Sequence, residues 1–105
     1  MQLPQRLIDL YFKVSRERLQ EMEKFLSEYQ KNPEDKQLKD KLYRLFHNIH
    51  SSGAVYGFHD IGDAAGIAEL LFQRHVSDNT KLSPEEINLV LKKFNFIRSR
   101  LEEYI

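Results

Sequence analysis

Three of the four histidines, His47, His50 and His59, fall in or beside the only part of the chain that contains glycine: Gly53, Gly57, Gly62 and Gly66. An imidazole, with an unperturbed pKa of about 6.5, keeps a ring-nitrogen lone pair at neutral pH, so it can serve as nucleophile, proton carrier or metal ligand. Cysteine is absent, which removes a thiolate nucleophile, a thiolate zinc site and a disulfide framework. The spacing His47-x-x-His50, with Glu69 further on, raises the question of a metal. Four-helix di-metal proteins, however, repeat a Glu-x-x-His motif on two helices and add further inward carboxylates. Neither is present, and we expect no metal and no cofactor. The remaining chemistry is that of a histidine nucleophile.

Helices must position it. Ile8, Phe12, Leu19, Met22, Leu26 and Tyr29 recur at helical spacing from Pro4 to about Gln30. Asn32-Pro33 followed by two acids is a stop and a start. A second helix is expected from about Glu34 to Tyr56, with Leu38, Leu42, Leu45, Phe46, Ile49, Gly53 and Tyr56 inward and Gly57 as its left-handed terminator. A third starts near His59 or Asp60, carries Ile61, Ala65, Ala68 and Phe72 in step, and ends in the polar Ser77–Thr80 segment. Ser83-Pro84-Glu85-Glu86 opens a fourth with a cap, a first-turn proline and two acids at the positive end of the dipole. Ile87, Leu91, Phe94, Ile97, Leu101 and Ile105 run to the chain end. No strand alternation appears. The expectation is an all-α, antiparallel up-and-down four-helix bundle, one domain over residues 1–105.

The charge balance narrows the function. Sixteen Lys and Arg offset sixteen Asp and Glu, so the basic surplus that nucleic-acid binding requires is missing. No apolar run approaches the length of a membrane span, and the N-terminus lacks a signal-peptide pattern. A cytoplasmic monomer is expected.

On a wheel of about 100° per residue, the apolar stripe of the second helix clusters within about 40° of one direction. His47 lies roughly 150° from it, facing solvent. Ser51 and Ala54, its small neighbours on the same face, leave the ring open to a docking protein. Glycine inside a helix costs about 1 kcal/mol relative to alanine, so Gly53, Gly62 and Gly66 need a compensating role. Either close approach of the second and third helices or clearance on the surface around His47 is expected, with Gly53 turned inward and Gly62 and Gly66 near the seam. His59 reads as a turn or cap residue and His75 as a solvated helix-end residue.

The run Leu45-Phe46-His47-Asn48-Ile49-His50-Ser51-Ser52-Gly53-Ala54-Val55-Tyr56-Gly57-Phe58 resembles the signature of histidine-containing phosphotransfer (HPt) domains. That pattern is His-x-[Ile/Leu]-Lys-Gly-small-small-x-x-aromatic-Gly-[Phe/Leu]. His47, Ile49, Ser52, Gly53, Tyr56, Gly57 and Phe58 fit it. The first helix is also similar, and the likeness is strongest to the N-terminal phosphotransfer domain of chemotaxis-type histidine kinases. Two positions depart: His50 stands at the family lysine and Ser51 at the following glycine.

The resemblance implies a phospho-carrier rather than an enzyme. His47 would accept a phosphoryl group from a histidine kinase or a receiver phosphoaspartate and pass it to a receiver aspartate. Glu69 would accept a hydrogen bond from His47 and orient its ring. His50 would supply positive charge only when protonated. Receivers or kinases would dock around Ser51 and Ala54, with Tyr43, Arg44 and His50 at the rim and Gly66 giving clearance. ATP and Mg²⁺ would belong to partners. The alternative is a degenerate HPt-like module that docks receiver or kinase domains without carrying phosphate.

Overall fold

The computed structural model describes residues 3–103, which form four helices. They are α1 (Gln5–Lys31), α2 (Lys36–Tyr56), α3 (His59–Asp78) and α4 (Pro84–Glu102). Several of the helix ends have a local cause. Pro4 stands just before α1, and its carbonyl accepts from the N–H groups of Leu7 and Ile8. The Asp35 carboxylate caps α2 by accepting from Gln37 N–H at 2.9 Å and Leu38 N–H at 3.1 Å. That places the start of α2 at Lys36 rather than Glu34. Gly57 ends α2 at φ 83°, a conformation costly for any residue with a Cβ. Asn79 ends α3 in the same left-handed region, at φ 56°. Ser83 and Glu86 form a reciprocal capping box at α4, with Pro84 opening the helix. Ile105, expected on the last apolar stripe, lies outside the described residues.

The helices are amphipathic, and their apolar faces meet in one core. Met22, Tyr29, Leu42, Phe46, Ile49, Ile61, Phe72, Ile97 and Leu101 are its most deeply buried large side chains. Leu45, Tyr56, Ile87 and Leu91 pack against it while half-buried. At the end where α2 turns into α3, the Tyr11 ring stacks on Tyr56 and on Phe58, with centroids 4.8 and 5.1 Å apart. Tyr11 is early in α1 and Tyr56 ends α2, so these helices run in opposite senses. The same holds for α3 and α4: Asp60 pairs with Arg100 at 2.6 Å at one end, and His75 meets Glu86 at the other.

The second end of the bundle is held by polar contacts. His75 is not the solvated residue expected from its place in the last turn of α3. Only 12% of its side chain is exposed. Its Nδ1 shares a hydrogen bond with Thr80 Oγ1 at 2.7 Å, and its Nε2 lies 2.9 Å from Glu86 Oε1. The left-handed turn at Asn79 brings Thr80 back under the ring, which helical spacing alone does not reveal. Lys39, almost fully buried on α2, donates to Thr80 O at 2.6 Å. It thereby places an ammonium at the negative end of α3. Among the described residues, no helix is long and apolar enough to cross a membrane.

Candidate functional site

The seam between α2 and α3 is the most extensive helix contact in the bundle. Gly53 and Gly62 make it close: a Cβ on Gly53 would stand 2.9 Å from the Gly62 backbone. Gly62 is buried in this seam, against the backbone carbonyl of His50. Of the two roles expected for it, Gly62 therefore serves the close approach of the helices.

Phe46 and Ile49 point into the core from α2 and so turn His47 and His50 to the opposite side, with 52% and 47% of their side chains exposed. From α3, Glu69 reaches across the seam with only 14% of its side chain exposed. Its Oε2 lies 2.9 Å from His47 Nδ1, as expected, and its Oε1 lies 2.7 Å from His50 Nδ1. An ionised carboxylate only accepts, so each Nδ1 must carry the proton it donates. In a neutral ring Nε2 then holds the lone pair. Burial pushes the Glu69 carboxyl up, but the hydrogen bonds and charge of the two imidazoles overcome this and hold it below the usual glutamate range.

The two rings are not equivalent. A Cβ on Gly66 would sit 3.2 Å from His50 Nε2 and 3.3 Å from its Cε1. The His50 ring thus rests against the backbone of α3, over a position that bears no side chain. Gly66 is a seat for His50 rather than open clearance. The His47 ring stacks on Tyr43 with centroids 6.1 Å apart. Arg44 is exposed and paired with Asp40 one turn earlier, Nε to Oδ2 at 2.9 Å. Ser51 and Ala54 lie exposed on the His47 side of α2, and His59 is exposed at the first position of α3. Among the described residues, no three His, Asp or Glu side chains converge as a set able to hold a metal ion.

The family resemblance brings His47 and Glu69 together but leaves His50 at the rim of the docking face. The i, i+3 relation of His47 and His50 was the available signal, since it puts both on one helix face within reach of one facing residue.

A family model for the Hpt domain matches residues 6–104. The chain belongs to the Hpt family. Hpt domains pass phosphoryl groups through a histidine in phosphorelays, act as carriers rather than catalysts, and interact with kinases and receiver domains. The chain is also similar to the crystal structure of a computationally redesigned four-helix bundle, with a TM-score of 0.86 and 24% identity. That alignment covers 97% of this chain and 100% of the other, and at this identity it speaks to the Hpt chain's fold alone. No curated protein matches the chain.

Proposed function

We propose that His47 is the phospho-accepting residue of this Hpt domain and that Glu69 is its positioning residue. The observation that carries the reading is a half-exposed imidazole whose Nδ1–H is committed to a largely buried carboxylate. The nucleophilic lone pair is thereby assigned to Nε2. That nitrogen attacks phosphorus of a kinase-bound ATP or of a receiver's aspartyl phosphate. The N–P bond forms as the P–O bond breaks, and the electron pair leaves with ADP or with the aspartate. As N–P forms, the ring gains positive charge, which the Glu69 carboxylate beside Nδ1 stabilises. Onward transfer reverses the chemistry: the receiver's carboxylate attacks phosphorus and the imidazole leaves.

Positioning and charge compensation carry most of such a transfer, and the chain contributes nothing resembling a nucleotide-binding glycine loop. ATP and Mg²⁺ thus come from partners. Ser51 and Ala54 form a low surface beside His47 on which a receiver or kinase domain docks, with Tyr43 and Arg44 at its edge.

The test is labelling. Incubated with a histidine kinase and ATP–Mg²⁺, or with a phosphorylated receiver, the protein takes an acid-labile, base-stable label, and His47→Gln takes none. Normal labelling of His47→Gln overturns the assignment. A wild-type chain that binds receivers yet never labels favours a docking module that carries no phosphate.

A further inference from the structure

Glu69 has two oxygens and two imidazole partners, one on each. We infer that His50 is a positioning residue acting through Glu69: it fixes the carboxylate that selects the His47 tautomer, and bare Gly66 is the seat that puts it there. The inference rests on the phosphotransfer reading of His47 and adds to it the device that holds Glu69.

The terminal torsion of a glutamate is soft, with broad, roughly two-fold wells. A carboxylate holding one imidazole can rotate about that torsion and still keep a contact of some kind. Held on both oxygens by rings one helical turn apart on α2, its plane is set. The choice matters because an unconstrained neutral imidazole favours the Nε2–H tautomer, which would remove the lone pair that attacks phosphorus. The Nδ1–H tautomer of His47 must therefore be imposed, and the imposing group must not swing away.

The seat is equally specific. All three of the nearest atoms to a Cβ built on Gly66 belong to the His50 ring, at 3.2, 3.3 and 3.4 Å. The two shorter contacts are tighter than ordinary van der Waals packing, so an alanine methyl would push the ring back by a few tenths of an ångström. A mid-helix glycine costs about 1 kcal/mol relative to alanine, and at Gly66 that cost is offset by letting His50 lie flat enough to reach Glu69. The Nδ1–H of His50 is spent on Glu69, and a face of its ring rests on α3.

The experiment reads the tautomer of His47 directly, in the isolated protein, from the ring ¹⁵N resonances at a pH where both rings are neutral. In the wild type, His47 Nδ1 should be pyrrole-like and Nε2 pyridine-like. His50→Ala removes the second donor, and Gly66→Ala keeps it but pushes it aside. Both should move His47 toward the Nε2–H form and slow labelling by one kinase about tenfold, the lower end of what loss of a supporting hydrogen bond costs. His50→Asn, whose amide nitrogen sits near the place of Nδ1, should restore both readouts.

Unchanged His47 resonances in His50→Ala and Gly66→Ala overturn the inference. So does a slowed rate without a tautomer change, which would make His50 a direct phosphate contact, or failure of His50→Asn to rescue. If the tautomer shifts as expected while His47→Gln still takes label, the phosphotransfer assignment fails and the positioning role stands.

Discussion

Gly53 and Gly62 meet across the α2–α3 seam with no side chain between them, and the Gly62 backbone in turn lies against the carbonyl of His50. The seam thus passes directly behind the candidate site. The helix contact that closes the core is the same one that lets a glutamate on α3 reach two histidines on α2. Fold and chemistry share a single spacing.

Gly53→Ala tests that spacing. The added methyl would stand 2.9 Å from Gly62 Cα, so α2 and α3 must part. We expect a loss of about 1–3 kcal/mol in urea unfolding, together with weakened protection of the His47 Nδ1 proton in NMR. Gly57→Ala is the control. It meets open space but sits at φ 83°, so it should cost about 1–2 kcal/mol while leaving the His47 ring signals unchanged.

Glu69→Gln probes the carboxylate by pH. Burial raises the Glu69 pKa, but the two imidazoles more than reverse this, and the folded value is lowered. A carboxyl with a depressed folded pKa contributes stability above its unfolded pKa and loses it as pH falls through the folded value. The stability advantage of wild type over Glu69→Gln should shrink as the solution is acidified through the glutamate range. Denaturation of both proteins across that range checks it; a constant difference would contradict it.

His75→Ala should loosen the opposite end. The ring bridges Thr80 and Glu86, and its removal should cost about 1–2 kcal/mol. Phosphotransfer through His47 should be unaffected. The N–H of Ser83 is the largest cause holding the Glu86 carboxyl below its ordinary range, and His75 adds to it. The Ser83–Glu86 contact therefore survives in the variant, while hydrogen exchange in the Asn79–Ser83 turn should rise.

Lys39→Met keeps the aliphatic stem of a nearly buried lysine and deletes its ammonium. The Thr80 carbonyl at 2.6 Å loses its donor, and the C-terminus of α3 loses a positive charge. Thermal unfolding should report a loss of about 1–2 kcal/mol, reduced from the full worth of a charged hydrogen bond because burying the ammonium is itself costly.

Much of this was legible in the sequence because its causes are local. Ser83-Pro84 and Gly57 mark helix ends through bonds within a few residues, whereas the Asp35 cap moves the start of α2 two residues past the expected Glu34. The direction of His47 follows from the apolar stripe on its own helix. Glu69 was reachable through family resemblance, which encodes a distance between helices that spacing along one helix does not contain. What sequence could not settle were side chains whose partners depend on tertiary geometry. His50 had the choice of solvent or Glu69, and that choice turns on the bare backbone at Gly66. Gly62 and Gly66 looked alike, yet one lies buried against α2 backbone and the other beneath a ring. The role of His75 depends on how Asn79 folds Thr80 back, and that of Lys39 on which helix end lies above it.

We propose that Glu69 leaves His47 Nε2 as the atom that carries phosphate. Phosphorus–nitrogen NMR of the ¹⁵N-labelled, phosphorylated protein tests it most directly. A single ³¹P coupling to Nε2 of His47 is expected, with Nδ1 still bearing its proton. Phosphorus on His47 Nδ1, or on His50, would contradict it.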